Sequence, residues 1–118
     1  MSINEKLAKA VNLSENGDVK GAKKILEEIV VMNSSSPKIH AALGSTYWDL
    51  QDIDSAISEF KEAVDLAPSW EDASLGLFHC LWESDKKDDA MVELKRFMAI
   101  GTSTDYEEII KEINQKMR

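Results

Sequence analysis

The feature that most constrains this chain is a self-similarity with a period of 34 residues. In the middle of the sequence, His40, Leu43, Gly44, Tyr47, Ala56, Phe60, Ala63 and Pro68 form one spaced pattern. A shift of 34 residues forward lays Leu77, Leu81, Ala90, Leu94 and Phe97 on the same frame. The same shift backward lays Ala10, Leu13, Ala22, Leu26 and Ile29 on it. A fixed period of this length means that one supersecondary unit is built several times. A single such unit cannot bury its own apolar face, so the copies must stack into a shared core.

Each half of a unit carries apolar residues at helical spacing, as in Ile53, Ala56, Ile57, Phe60, Ala63 and Val64, so each unit reads as two amphipathic helices. Helix starts are predicted at Ser2 with Glu5, at Ser36 followed by Pro37, and at Ser69 with Asp72. Breaks are predicted at Asn16-Gly17, Gln51-Asp52, Asp85 and Gly101. Beyond Gly101, Thr104 and Glu107 read as a further capping box ahead of Tyr106, Ile109, Ile110 and Ile113. Charges at Glu108, Lys111, Glu112 and Lys116 lie on the opposite face. A seventh helix over about residues 105–118 would cover the apolar flank that the last hairpin leaves open.

The middle pattern resembles the tetratricopeptide repeat. That family expects a large residue, Leu, Gly and Tyr at repeat positions 4, 7, 8 and 11, and Ala, Phe, Ala and Pro at 20, 24, 27 and 32. With Pro37 at position 1, only position 4 departs, where His40 replaces the usual aromatic. In the third unit Phe78 stands where Gly or Ala allows close helix approach, and Thr102 replaces the proline, which predicts a more open hairpin. The resemblance spans residues 3–104. It implies an all-α, right-handed superhelical solenoid of three antiparallel helical hairpins, about 3–36, 37–70 and 71–104, with a capping helix about 105–118, together one domain over 1–118.

The resemblance also implies a non-enzymatic protein-binding module whose first helices line a concave groove. The groove positions are Asn4, Leu7, Val11, Ser14 and Glu15 in the first unit, Lys38, Ala41, Ser45, Trp48 and Asp49 in the second, and Asp72, Leu75, His79, Trp82 and Glu83 in the third. Trp48 and Trp82 share one repeat position, and each is followed by an acid. Tryptophan is enriched among binding hot spots, and a neighbouring carboxylate holds a lysine or arginine against the ring. The pairing predicts a groove for a basic or amphipathic segment; the competing reading has both tryptophans packing against neighbouring helices. Trp70 is read as hairpin packing. Some family members hold a chaperone's C-terminal carboxylate with Lys, Asn and Arg at groove positions 2, 5, 6 and 9. Here Leu7, Val11, Ala42 and Gly76 occupy such positions and only Lys38 could serve, so anionic peptide tails are poor ligands.

Charge narrows the partners. The chain has 22 acidic and 14 basic side chains, a net −8, which repels phosphate backbones and anionic lipid, so nucleic acid and membrane are excluded as expected partners. Residues 3–36 carry five charges of each sign, 37–70 six acids against two bases, and 71–104 seven against four. The lone Cys80 excludes an internal disulfide and reads as a small buried apolar residue. Glu5, Lys6 and Lys9 interrupt any signal-peptide core, and no apolar run approaches membrane-spanning length, which predicts a cytoplasmic protein.

With two histidines, His40 and His79, and no metal, nucleophile or phosphate-loop motif, no catalytic residue, metal site or cofactor is expected. His79 is read as a contact residue. The function predicted is that of an adaptor or chaperone, monomeric or weakly self-associating, which binds a peptide or helical segment in the groove. The second reading is an acidic immunity or inhibitor protein that neutralises a basic toxin or nuclease.

Overall fold

A computed structural model describes residues 1–117. Among them all regular structure is helical: α1 (Ile3–Glu15), α2 (Val19–Met32), α3 (Pro37–Asp49), α4 (Ile53–Leu66), α5 (Glu71–Glu83), α6 (Lys87–Ile100) and α7 (Thr104–Lys116). The helices pair as three antiparallel hairpins stacked in sequence, with α7 closing the end, in a body of 52 × 27 × 21 Å.

The hairpin turns repeat with the sequence. Gly17 (φ +92°), Gln51 (φ 63°) and Asp85 (φ 66°) lie 34 residues apart and all adopt left-handed backbone, the conformation that ends a helix and reverses the chain. The next residue caps the returning helix in two of the three units. The Asp18 carboxylate accepts from Gly21 N–H and the Asp52 carboxylate from Ser55 N–H, whereas Lys86 offers α6 no side-chain cap.

At the starts of the first helices, Ser2 accepts from Glu5 N–H and Ser36 from Ile39 N–H, with Pro37 opening α3. Two expected caps differ. Ser69 does not start α5, because Trp70 stands at the cap position with extended backbone (φ −82°, ψ 110°) and no side-chain cap. Its indole packs against the core instead, so burial of the ring wins over capping at this joint. The cap of α7 is Ser103, accepting from Tyr106 N–H, one residue before the expected Thr104.

The core divides into two clusters. One joins Ala10, Ala22, Leu26 and Ile29 of the first hairpin to Ile39 and Leu43 of α3. The larger runs from Ala56 through Phe60 and Leu77 to Phe97 and Tyr106. Phe60 is the pivot between units: a Cβ added at either Gly44 of α3 or Gly76 of α5 would run into its ring. Two bare backbones thus let α3 and α5 close on one aromatic side chain. Phe78, at 2% exposure, takes the space a small residue would leave. It meets Tyr106 edge-on at 5.5 Å between ring centroids. Tyr106 is the one fully buried side chain of α7; Ile109, Ile110 and Ile113 are half-buried, and the charged face is exposed.

Candidate functional site

The first helices α1, α3 and α5 border a continuous furrow made of three adjoining depressions. Between α1 and α3, one of about 490 Å³ is lined by Leu7, Val11, Glu15, Lys38 and Ala42 among others. The next, about 250 Å³, shares Val11, Glu15 and Ala42 with it and adds Ser14, Ser45 and Thr46. The third, about 210 Å³, lies between α3 and α5 and is lined by Ser45, Trp48, Asp49, Phe60, Gly76, His79 and Cys80. The helical spacing of the lining residues explains the furrow: positions three and four apart share a face, and the larger side chains between them turn into the hairpins.

Of the residues read as groove positions, Val11, Lys38, Ser45, Asp49, Asp72, His79 and Glu83 are exposed, and Leu7, Ala41, Trp48, Leu75 and Trp82 are half-buried. The two tryptophans, equivalent in sequence, are not equivalent in space. Trp48 walls the third depression together with Asp49 and His79. Trp82 is stacked on Phe78 at 5.6 Å and 18°, and the Lys87 ammonium lies 5.2 Å above its ring. Ala41, Trp48, Leu75 and Trp82 all pack partly against the larger core cluster.

Cys80, at the floor beside Trp48, is buried, and burial pushes its thiol up to about 11, so it is a poor nucleophile at neutral pH. Among the described residues no group of three or more His, Cys, Asp or Glu side chains converges in a way that could hold a metal ion.

Behind the furrow lie two polar bridges that the sequence pattern did not reveal. His40 is 7% exposed; its Nδ1 lies 2.7 Å from Glu59 Oε2 and its Nε2 2.7 Å from the Ser34 carbonyl. One unit further on, Ser74 Oγ donates to Glu93 Oε2 at 2.6 Å and accepts from Tyr106 Oη at 2.7 Å. Arg96 donates to both oxygens of Glu93 at 2.7 Å and to the Pro68 carbonyl at 3.0 Å. Burial pushes the Tyr106 phenol up to about 12, which keeps its proton available for this chain of bonds. The visible signal was Glu93 itself, a carboxylate inside the apolar stripe Ala90, Leu94, Phe97.

The family model for the tetratricopeptide repeat matches residues 37–69, the α3–α4 hairpin with its flanking turn. The neighbouring hairpins repeat its turn geometry at 34-residue intervals. Residues 37–69 are thus a tetratricopeptide repeat, and the hairpins on either side share its fold.

A tetratricopeptide-repeat relative in Arabidopsis thaliana, cell division cycle protein 27 homolog A, is 40% identical over 68 residues, 58% of this chain and 10% of that protein. The chain thus spans about a tenth of that relative's length. Among solved structures, the first repeat domain of Spaghetti (RPAP3) bound to an HSP90 peptide superposes with a TM-score of 0.81 at 17% identity, over 95% of this chain and 90% of that one. The type III secretion chaperone SycD of Yersinia enterocolitica, in complex with a peptide of the translocator YopD, gives 0.80 at 15% identity, over 96% and 87%. MamA gives 0.77 at 20% identity, over 84% of this chain and 58% of its own. At such identities these likenesses establish the fold.

In tetratricopeptide-repeat terms the two polar bridges are the same bridge. His40 and Ser74 both stand at position 4, Glu59 and Glu93 at position 23, and the accepting carbonyls of Ser34 and Pro68 at position 32 of the preceding unit. In the second unit one imidazole spans both acceptors; in the third, Ser74 and Arg96 divide the task and admit Tyr106 of α7.

Proposed function

We propose that this chain is an adaptor- or chaperone-type module that holds a basic or amphipathic segment of a partner protein along the furrow of α1, α3 and α5. The observation that carries this reading is the furrow's make-up. It is lined by the apolar side chains of Leu7, Val11 and Trp48 and by the acids Glu15 and Asp49, in a chain of net charge −8. An extended or helical segment binds such a surface by many modest contacts with a few anchored side chains. Neighbours of the same fold support the reading, since Spaghetti is bound to an HSP90 peptide and SycD to a YopD peptide. The ligand chemistry differs from that of an anionic tail: among the described residues, Lys38 is the one lysine or arginine lining the three depressions.

The surplus of acids in the second and third units favours a second reading, a dedicated inhibitor that occupies the basic site of one toxin or nuclease. Affinity capture from the source cell's lysate, wild type against Trp48→Ala, tests both. Loss of several unrelated proteins from the variant supports the adaptor, and loss of one basic protein supports the inhibitor. An unchanged set of captured proteins removes the furrow as the binding surface.

A further inference from the structure

We propose that the depression between Trp48 and His79 is an anchoring subsite for one long basic side chain, lysine or arginine, of the bound segment. The inference rests on the furrow being the binding surface. The depression is about 210 Å³, bounded by the Trp48 indole on one side and the Phe60 ring and Cys80 below, with Asp49 at its edge. That is room for one extended side chain whose methylene stem lies on apolar surface while its charged end stays at the rim. An apolar occupant would leave the exposed Asp49 carboxylate without a counter-charge, and an acidic one would be repelled. A cation satisfies the carboxylate and gains the indole face as well.

The third unit shows the same arrangement already filled from within. Trp82, the repeat equivalent of Trp48, has the Lys87 ammonium 5.2 Å above its ring, and the ring stacks on Phe78. At the position corresponding to Lys87 the second unit has Ile53, half-buried and packed into the core. Among the described residues no lysine or arginine forms an ion pair with Asp49, and none lies over Trp48. The chain thus supplies its own cation to the Trp82 ring, with Asp85 as that cation's carboxylate at 4.0 Å, and supplies none to Trp48.

The test is an NMR titration of the full chain with N-acetyl-arginine amide and, separately, N-acetyl-norleucine amide, following the three indole N–H signals and the backbone amides. The arginine compound is expected to shift the Trp48 indole and the Asp49 and His79 amides along one saturable curve, with the Trp82 indole unmoved. Asp49→Asn, an exposed and isosteric change, is expected to weaken that binding about three- to fivefold while leaving the melting temperature in place. Equal binding of norleucine amide, insensitive to Asp49→Asn, would make this an apolar subsite and overturn the proposal. So would the absence of any shift at Trp48. Either failure concerns the subsite alone, because the furrow itself stands or falls by the capture experiment.

Discussion

A neutral imidazole carries one N–H and can donate to one acceptor, yet His40 is held between two: the Glu59 carboxylate and the Ser34 carbonyl, each 2.7 Å from a ring nitrogen. Both bonds are made in full only by the imidazolium. Burial alone would lower the pKa of His40, but the hydrogen bond to Glu59, the bond to the Ser34 carbonyl and the charges of Glu59 and Glu62 outweigh it and place it above the ordinary 6.5. A folded-state pKa raised above the unfolded one means that the folded chain holds this proton more tightly. The stabilisation is complete below pH 6.5 and is lost as pH climbs through the raised value. Denaturant unfolding from about pH 6 to about pH 9 is therefore expected to give falling stability in the wild type. His40→Asn should lose roughly 1 kcal/mol at the acid end, where the half-buried Glu59 carboxylate is left without its charged partner, and show a flatter profile. Parallel pH profiles for the two proteins would remove His40 as the source. Arg96, which takes the corresponding carbonyl one unit on, is permanently charged, so the joint between the second and third units has no such dependence near neutrality.

At the scale of the element, α7 docks through Tyr106, its one fully buried side chain, with Ile109 and Ile110 packed on the same core. Tyr106 is 0% exposed, packs on Phe78 and Phe97, and ends in the hydrogen-bond chain to Ser74 and Glu93. Tyr106→Phe keeps the ring and removes one donor, for an expected cost of about 0.5 to 1.5 kcal/mol. Tyr106→Ala also opens a cavity, at about 3 to 5 kcal/mol. Hydrogen exchange distinguishes a local from a global effect. In Tyr106→Phe, the amides of α7 should speed up more than those of α3 and α4, and uniform acceleration would mean that α7 is not docked through this contact. The helix itself was legible in the sequence, as were the caps Ser2 and Ser36, because those signals lie within four residues of one another. Ser69 and Thr104 misled because the local cap signal competes with the burial of Trp70 at one joint and with the buried Ser103 at the other. The Ser74–Glu93–Tyr106 chain was illegible for a different reason: its members come from three helices, and Tyr106 lies outside the repeat that relates the other two. The register fixed which helices border the furrow, but equivalent positions did not mean equivalent surroundings. Whether a tryptophan is left open depends on Lys87 against Ile53, and on Phe78, none of which the spacing of tryptophans encodes.

For the whole molecule, the decisive quantity is where the charge lies along a body 52 Å in length. The first unit is balanced, while residues 37–70 and 71–104 hold thirteen acids against six bases, so the field is strongest beside the Trp48 depression and beyond it. A partner with a compact basic face would be drawn to that end before contact, and its association rate would depend on ionic strength. The Debye length shrinks from about 10 Å at 0.1 M salt to about 3 Å at 1 M, so steering over the width of this body is screened while contacts at van der Waals distance are not. For the partner captured by the furrow, surface-binding kinetics across that range of salt are expected to show an association rate lower by roughly tenfold or more, with dissociation little changed. A segment held mainly by its apolar side chains would show the opposite, a salt-insensitive association rate. That result would exclude the charge-steered inhibitor and leave an adaptor that selects its partners by fit along α1, α3 and α5.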